Sequence, residues 1–419
     1  MAEKKAYTQA VQTGKYDKAT GLLGKYDNVR RFWEDQITGY SLRPALNALV
    51  ERKTQRLERI RVLDLGCGSG DGYDQLMGVT NKDPGIYEYI TGAITSDMLK
   101  EYVGMDINPD LISQANEYHA TNPKTRFFLG DLSNGLPPEV WAEPPFDVYF
   151  TSYGTLSHFH DQQNAKIIAD VCKHAPDQAI FMGDWLGRYS YEWQDLWDHP
   201  VDEEYFMDYR ISYIYPEEIR DQVEVAAFQL RLITRDEILK IVEQASKESG
   251  VELKPLKFFD RSVLIGRHMD TGDYNANCPK IRRPVNSLFE GYVRTELETL
   301  LVDYVPRQGF DYLNNFFEMF FMCCNTLVKY TISLLSTYDV EEEQFKSVPE
   351  ILPFYPEPLK EAMDTMHRVI QGIGWVSFGD VRANVIEPIL GYTLRKLEMD
   401  LQPGMGVGHG LIGIFEIRK

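Results

Sequence analysis

The chain has 419 residues, with 44 Lys or Arg against 63 Asp or Glu, and so carries a formal charge of −19. Such a surface repels phosphate backbones. The densest basic stretch (Arg52, Lys53, Arg56, Arg59, Arg61) is interleaved with Glu51 and Glu58, so no nucleic-acid partner is expected. Length predicts two or three domains, and a 43% hydrophobic content supplies a large core. The five cysteines, Cys67, Cys172, Cys278, Cys323 and Cys324, form no Cys-x-x-Cys pair. No metal site is expected from them, and an odd number in so long a chain argues for a reducing cytoplasm over a disulfide framework. The N-terminal residues are polar and lack the apolar stretch of a signal peptide. Phe316–Leu335 is the most apolar run, but Glu318, Asn325 and Lys329 interrupt it, which predicts a buried helix and no membrane span.

Residues 16–58 carry Trp33, Ile37, Leu42 and Leu46 at helical spacing, with a break expected near Pro44. Arg61–Leu65 is a short apolar strand with glycines directly after it. Strands are then predicted at Tyr102–Ile107, Arg126–Leu129, Phe146–Thr151 and Ala179–Gly183. Helices are predicted at Pro109–Tyr118, capped by Asn108, and at Gln162–Cys172. This alternation predicts a mostly parallel sheet with helices on both faces. Residues 185–232 interrupt it as an aromatic, acidic insertion. A helix resumes at Thr234–Ser249, where Thr234 and Glu237 form a capping box. Val251–Phe259 and Ser262–Arg267 are expected to pair as a closing hairpin. After a linker at 270–286 the chain turns helical at 287–338, 357–371 and 384–400. It ends in a glycine-rich run, Gly404–Phe415, read as strand and turn with His409 incidental to it.

The run Val62-Leu63-Asp64-Leu65-Gly66-Cys67-Gly68-Ser69-Gly70 is the most specific signal. A strand turning sharply into a helix needs positive φ or close backbone approach, which glycine provides, and the helix that follows offers free N–H groups to a ligand. A phosphate-binding loop would need Lys-Ser/Thr after its glycines, but Asp71 and Gly72 stand there. A dinucleotide fold spaces its glycines G-x-G-x-x-G, whereas the spacing here is G-x-G-x-G. Acids at Asp64 and Asp71 repel a pyrophosphate and favour a cationic cofactor.

This run resembles motif I of the class I S-adenosylmethionine-dependent methyltransferases, and the resemblance extends over about residues 60–270. It implies a doubly wound, mostly parallel seven-stranded α/β sheet of the Rossmann-like methyltransferase type. Around that sheet stand a helical N-terminal cap (1–58), a domain at 59–270 carrying the inserted lid at about 185–232, and an additional mainly helical C-terminal domain (280–419). It also implies a cofactor site at Asp64, Gly66, Cys67, Gly68, Gly70, Asp106, Ile107, Asp131, Leu132 and Thr151. There Asp106 takes the ribose hydroxyls and Asp131 the adenine amino group. Asp106 lies further along than the ~20 residues usual in such folds, and Thr80–Asp97 accounts for the excess as a surface insertion.

Methyl transfer requires alignment of the acceptor and, for some acceptors, removal of a proton. His158, just past the fourth strand, is the expected base, and Tyr153 is expected to contact cofactor or acceptor. Trp185, Arg188, Tyr189 and Trp193 are the expected acceptor pocket. Arg30, Arg31 and Trp33 are pocket candidates from the N-terminal region. The Asn/Asp-Pro-Pro-aromatic run of nucleic-acid and glutamine methyltransferases is absent after the fourth strand, which favours a small-molecule acceptor. A protein methyltransferase and a non-catalytic cofactor-binding scaffold are the alternatives. The C-terminal helices need a partner surface, either the sheet domain or a second subunit in a homodimer.

Overall fold

All six residues of β1 (Ile60–Leu65) are buried, as expected of a central strand covered on both faces. Val62 packs on one side of the sheet and Leu63 on the other, the two-residue period of a strand. The computed structural model describes residues 2–16, 25–83, 90–200, 203–339, 341–374, 376 and 379–419.

Two helices precede the sheet, α1 (Ala2–Gln12) and α2 (Asp35–Gln55). The break expected near Pro44 does not occur. Pro44 lies on the exposed face of a continuous α2, where water can hydrate the carbonyl that proline leaves unpaired. Residues 17–24 of the expected N-terminal helix lie outside the described residues, as does part of the 80–97 insertion.

After β1 come α3 (Asp71–Met77), β2 (Leu99–Asp106), α4 (Pro109–Tyr118), β3 (Thr125–Leu129) and β4 (Val148–Phe150). Asn108 caps α4 by accepting from the N–H groups of Asp110 and Leu111, with Pro109 in the first turn. Next are α5 (Asp161–His174), β5 (Ile180–Gly187), β6 (Tyr205–Arg210) and β7 (Ala227–Ile233). Then follow α6 (Arg235–Ser249), opened by the Thr234–Glu237 capping box, and β8 (Glu252–Arg261).

The closing hairpin is not formed. Ser262 takes φ +60°, the chain leaves the sheet there, and Val263, Leu264 and Ile265 are buried as loop residues. The partner of β8 is β9 (Gly410–Arg418), the last strand of the chain, with Gly410 opposite Arg261 and Arg418 opposite Glu252. β9 also runs antiparallel to β5. The main sheet is therefore ordered β3-β2-β1-β4-β5-β9-β8, parallel except for β9, with β6 and β7 extending it beside the end of β5. This is the doubly wound, mostly parallel sheet the alternation predicts. The insertion at 185–232 supplies that β6–β7 pair as well as loops.

Between β8 and β9 the chain makes α7 (Asp311–Thr337), α8 (Glu357–Gln371) and α9 (Glu387–Leu401). α7 is long and apolar enough to cross a membrane by composition, but Phe317, Phe320, Phe321, Leu327 and Val328 are buried in one hydrophobic cluster with α8, α9 and residues of β1 and β4. The apolar face of α7 is thus covered within its own chain. Because β9 returns to the sheet, the helices are a layer anchored at both ends.

Candidate functional site

β1, β2, β4 and β5 end at the same edge, and at their carboxyl ends lies a cavity of about 370 Å³. That position is the ligand site of open parallel sheets. One wall is Gly66, Cys67, Gly68, Asp106, Ile107, Asp131 and Leu132. The opposite wall comes from four distant segments: Tyr7, Tyr16, Lys25 and Arg30; Tyr209, Tyr213 and Leu230; Arg267; and His409.

Two glycines make this geometry possible. Gly66 has φ +74°, and a Cβ there would lie 2.4 Å from Thr155 Cγ2. Gly68 has φ +53° with nothing within 4 Å of the added atom, so a side chain there would project into the cavity. Its N–H donates to Asp106 Oδ2 at 3.0 Å, while Oδ1 accepts from Asn108 N at 2.8 Å. Each carboxylate oxygen retains a lone pair, the arrangement two vicinal hydroxyls require. Burial raises the Asp106 pKa, opposed by those two N–H groups and by the charges of His158 and Lys25. Asp131 is exposed at the other end, its Oδ1 accepting from Ser133 N at 2.8 Å.

The structure separates the remaining expected residues. Asp64 is fully buried and does not line the cavity. It accepts from the Tyr102 hydroxyl at 2.5 Å, beneath the start of α3. Burial pushes its carboxyl up to about 7. Gly70 begins α3 and packs against His119 and Phe127. Thr151 is buried too, donating to Met182 O and accepting from Asp184 N. Burial lifts the Cys67 thiol well above its ordinary range, so it lines the cavity as a small neutral group.

Tyr153 does reach the cavity, at φ +52°, and Asp184 holds it there by accepting the N–H groups of Tyr153 (2.7 Å) and Gly154 (3.0 Å). Its ring is surrounded by the guanidinium carbons of Arg30 (4.0 Å), Arg261 (4.4 Å) and Arg267 (5.4 Å). Its hydroxyl donates to Asp35. Burial holds the phenol well above its usual pKa, so it remains a donor.

These cations are paired. Glu34 meets Arg267 at 2.7 Å and Arg282 at 3.0 Å. Burial alone would raise its pKa, but Arg267, Arg282 and Arg261 together hold it well below the carboxylate range. Asp71 lies 2.7 Å from Lys25 and 3.3 Å from Arg30. Burial lowers Lys25 to about 8 despite that partner.

His158 lines the cavity between Tyr7 and Phe228, stacking on the latter at 5.7 Å. The four residues expected to form an acceptor pocket do not line it. Trp185 is buried in the core beside α5 and α6. Arg188 is buried and bound to Glu237 at 3.2 Å. Trp193 donates its indole N–H to Gly187 O at 3.0 Å. Tyr189 packs edge-on against Trp197. An aromatic-rich stretch looks alike whether it builds a pocket or a core; here the part around Trp185–Trp197 builds core, and Tyr209 and Tyr213 further along reach the cavity. Arg31 is exposed and Trp33 is buried core, while Arg30 is part of the cavity wall. Sequence reasoning missed Tyr7, Tyr16, Lys25, Tyr209, Tyr213 and Arg267, which no local motif connects.

Seven strands in the order β3-β2-β1-β4-β5-β9-β8, with only β9 reversed, place the G-x-G-x-G loop and Asp106 side by side at one sheet edge. That strand order and that placement are what the resemblance to the class I S-adenosylmethionine-dependent methyltransferases implies. No protein-family model matches the chain, and no curated protein matches it. Solved structures similar to it include a putative methyltransferase in complex with the Haloferax volcanii Trm112 methyltransferase activator (15% identity, 49% of this chain and 66% of that one, just under two thirds, TM-score 0.29). Others are an S-adenosylmethionine-dependent methyltransferase from Clostridium acetobutylicum (15%, 52% and 83%, TM-score 0.31) and an amino pentose methyltransferase from Micromonospora echinaspora (12%, 54% and 86%, TM-score 0.32). Likenesses this distant say nothing of activity, which has to be argued from the site itself.

Proposed function

We propose that the protein transfers a methyl group from S-adenosylmethionine to a small-molecule acceptor. The observation that carries this is the junction of Gly68 and Asp106: an open glycine faces the cavity, and a carboxylate with one free lone pair on each oxygen stands beside it. The residues fit the cofactor. In this assignment Asp106 takes both ribose hydroxyls and Asp131 the adenine amino group. Ile107 and Leu132 pack on the base, and Lys25, Arg30 and Asp71 hold the charged amino-acid end. The bound cofactor supplies a methyl group already activated by a sulfonium. The protein's part is to align the acceptor and exclude water.

Support for a small acceptor comes from the walls. Tyr7, Tyr209, Tyr213, Arg267 and His409 close over the glycine loop from separate parts of the chain. A volume of 370 Å³ is near the lower end of the roughly 300–1,000 Å³ of ligand sites, which favours a compact acceptor over a polypeptide. A polypeptide acceptor would favour an open groove. His158, whose charge acts on Asp106, is assigned to the adenosyl wall. A cytoplasmic location is in keeping with five cysteines that all carry free thiols.

Calorimetry with S-adenosylmethionine, then mass spectrometry of a small-molecule extract incubated with methyl-deuterated cofactor, tests the assignment. Micromolar binding and a labelled small product support it. No binding by the unmutated protein sinks it, and label confined to polypeptide replaces the acceptor class.

A further inference from the structure

We propose that His409 is the general base of this methyl transfer and that Glu192 positions it, so that the acceptor presents a proton-bearing oxygen or nitrogen. The proposal rests on the methyltransferase assignment above.

His409 lines the cavity, and its Nδ1 lies 2.6 Å from Glu192 Oε1. Glu192 is itself buried and fixed: Oε1 also accepts from Ser190 Oγ at 3.2 Å, and Oε2 accepts from His268 N at 2.8 Å. The backbone is shaped around this carboxylate, since a Cβ on Gly266 would lie 2.5 Å from Glu192 Oε2. A carboxylate on Nδ1 keeps the neutral imidazole protonated there and leaves the Nε2 lone pair bare. Among the described residues no group hydrogen-bonds Nε2, and Nε2 is not among the sealed, unpartnered polar atoms, so it is the ring nitrogen left for a ligand.

The backbone holds the imidazole as firmly as the side chain does. His409 N donates to Ser262 O at 3.1 Å, and its carbonyl accepts from Gly187 N at 3.1 Å. Just before it, the N–H groups of Met405, Gly406 and Val407 all point to the Asp260 carboxylate at 2.8–2.9 Å. A base needs this kind of rigid support to be held in a productive geometry. The glycines around His409 therefore serve close packing against β5 and β8: a Cβ on Gly408 would lie 2.5 Å from Arg261 O.

His409 stands at the Glu34–Arg267 end of the cavity, where Tyr209 and Tyr213 offer flat apolar walls. His158 stands at the Asp106 end, between Tyr7 and Phe228. In the step, the acceptor X–H gives its proton to His409 Nε2 while its lone pair bonds to the methyl carbon. The carbon–sulfur bond breaks, and its electron pair stays on sulfur as a neutral thioether. The positive charge passes from the sulfonium to the imidazolium, which Glu192 stabilises until the proton leaves to water.

Long-range proton–nitrogen NMR of the full chain labelled with 15N-histidine tests the dyad without an acceptor, with the His409 signal assigned by its loss in His409→Gln. The expected result is a neutral Nδ1–H tautomer with bare Nε2, and a mixture of tautomers in Glu192→Gln. An Nε2–H tautomer in the unmutated protein, or no change in Glu192→Gln, overturns the proposal. In the methyl-deuterium assay, His409→Gln is expected to lower the labelled product about 100-fold or more, with affinity for S-adenosylhomocysteine within about twofold by calorimetry. Undiminished product in His409→Gln overturns the base while leaving the methyltransferase assignment standing. Failure of the unmutated protein to bind S-adenosylhomocysteine removes that assignment instead.

Discussion

The N–H of Gly68 donates to Asp106 across 3.0 Å, so the loop after β1 and the acid ending β2 form one unit. Asp106→Ala removes the acceptor of that bond and of both ribose hydroxyls. Hydrogen bonds to a charged group are worth about 1.5–3 kcal/mol each, so losing both ribose bonds is expected to lower cofactor affinity by roughly 100- to 10,000-fold. Isothermal calorimetry against the unmutated protein measures this. A change of less than threefold removes Asp106 from the cofactor site.

Gly66→Ala and Gly68→Ala separate folding from binding. Both positions have positive φ, which costs an alanine about 1 kcal/mol. At Gly66 the new methyl also collides with Thr155. At Gly68 it meets nothing in the protein and enters the cavity. Thermal denaturation is therefore expected to show the larger loss in Gly66→Ala. Calorimetry is expected to show the larger loss of cofactor affinity, tenfold or more, relative to its loss of stability, in Gly68→Ala.

Burial of Asp64 gives stability a definite pH dependence. In the unfolded chain its carboxyl ionises near pH 4. Folded, it keeps its proton up to about 7. The folded form thus binds more protons between those values, and the stability this confers at low pH is lost as pH rises through about 7. Asp64→Asn is expected to remove that slope. Taking the difference in Tm between variant and parent from pH 4 to 8 cancels the other carboxyls, and a difference that does not rise with pH contradicts the assignment.

The parts of this fold visible in the sequence are those whose signals are local. Val62 to Gly70 carries its strand, turn and helix start in nine neighbouring residues, and Asn108-Pro109 marks a helix start by itself. The missed parts depend on distant contacts. Nothing in Ser262–Arg267 reveals that Gly410–Arg418 occupies the edge of β8. β-branched and aliphatic residues there fit a buried loop as well as a strand. The site divides the same way: the glycine-loop wall was legible, while Tyr209, Arg267 and His409 meet across it only after β9 enters the sheet. Glu192, more than 200 residues from His409, gave the histidine no detectable partner in sequence.

Arg188 and Arg267 are both buried arginines, but their surroundings give them different work. Arg188 is bound to Glu237 and to the carbonyls of His199 and Pro200, away from the cavity. Removing one partner of a buried pair costs about 3–5 kcal/mol. Arg188→Ala is therefore expected to lower stability by that order in urea unfolding, with cofactor affinity unchanged in the protein that remains folded. Arg267 is paired with Glu34 but also faces the cavity and lies 5.3 Å from the Tyr213 ring. Arg267→Lys keeps the charge toward Glu34 and loses the planar face. Its stability loss is expected to be the smaller of the two, with the acceptor KM raised several-fold and cofactor affinity within about twofold. The reverse pattern, an Arg188 variant that binds cofactor poorly at full stability, returns Arg188 to the binding site.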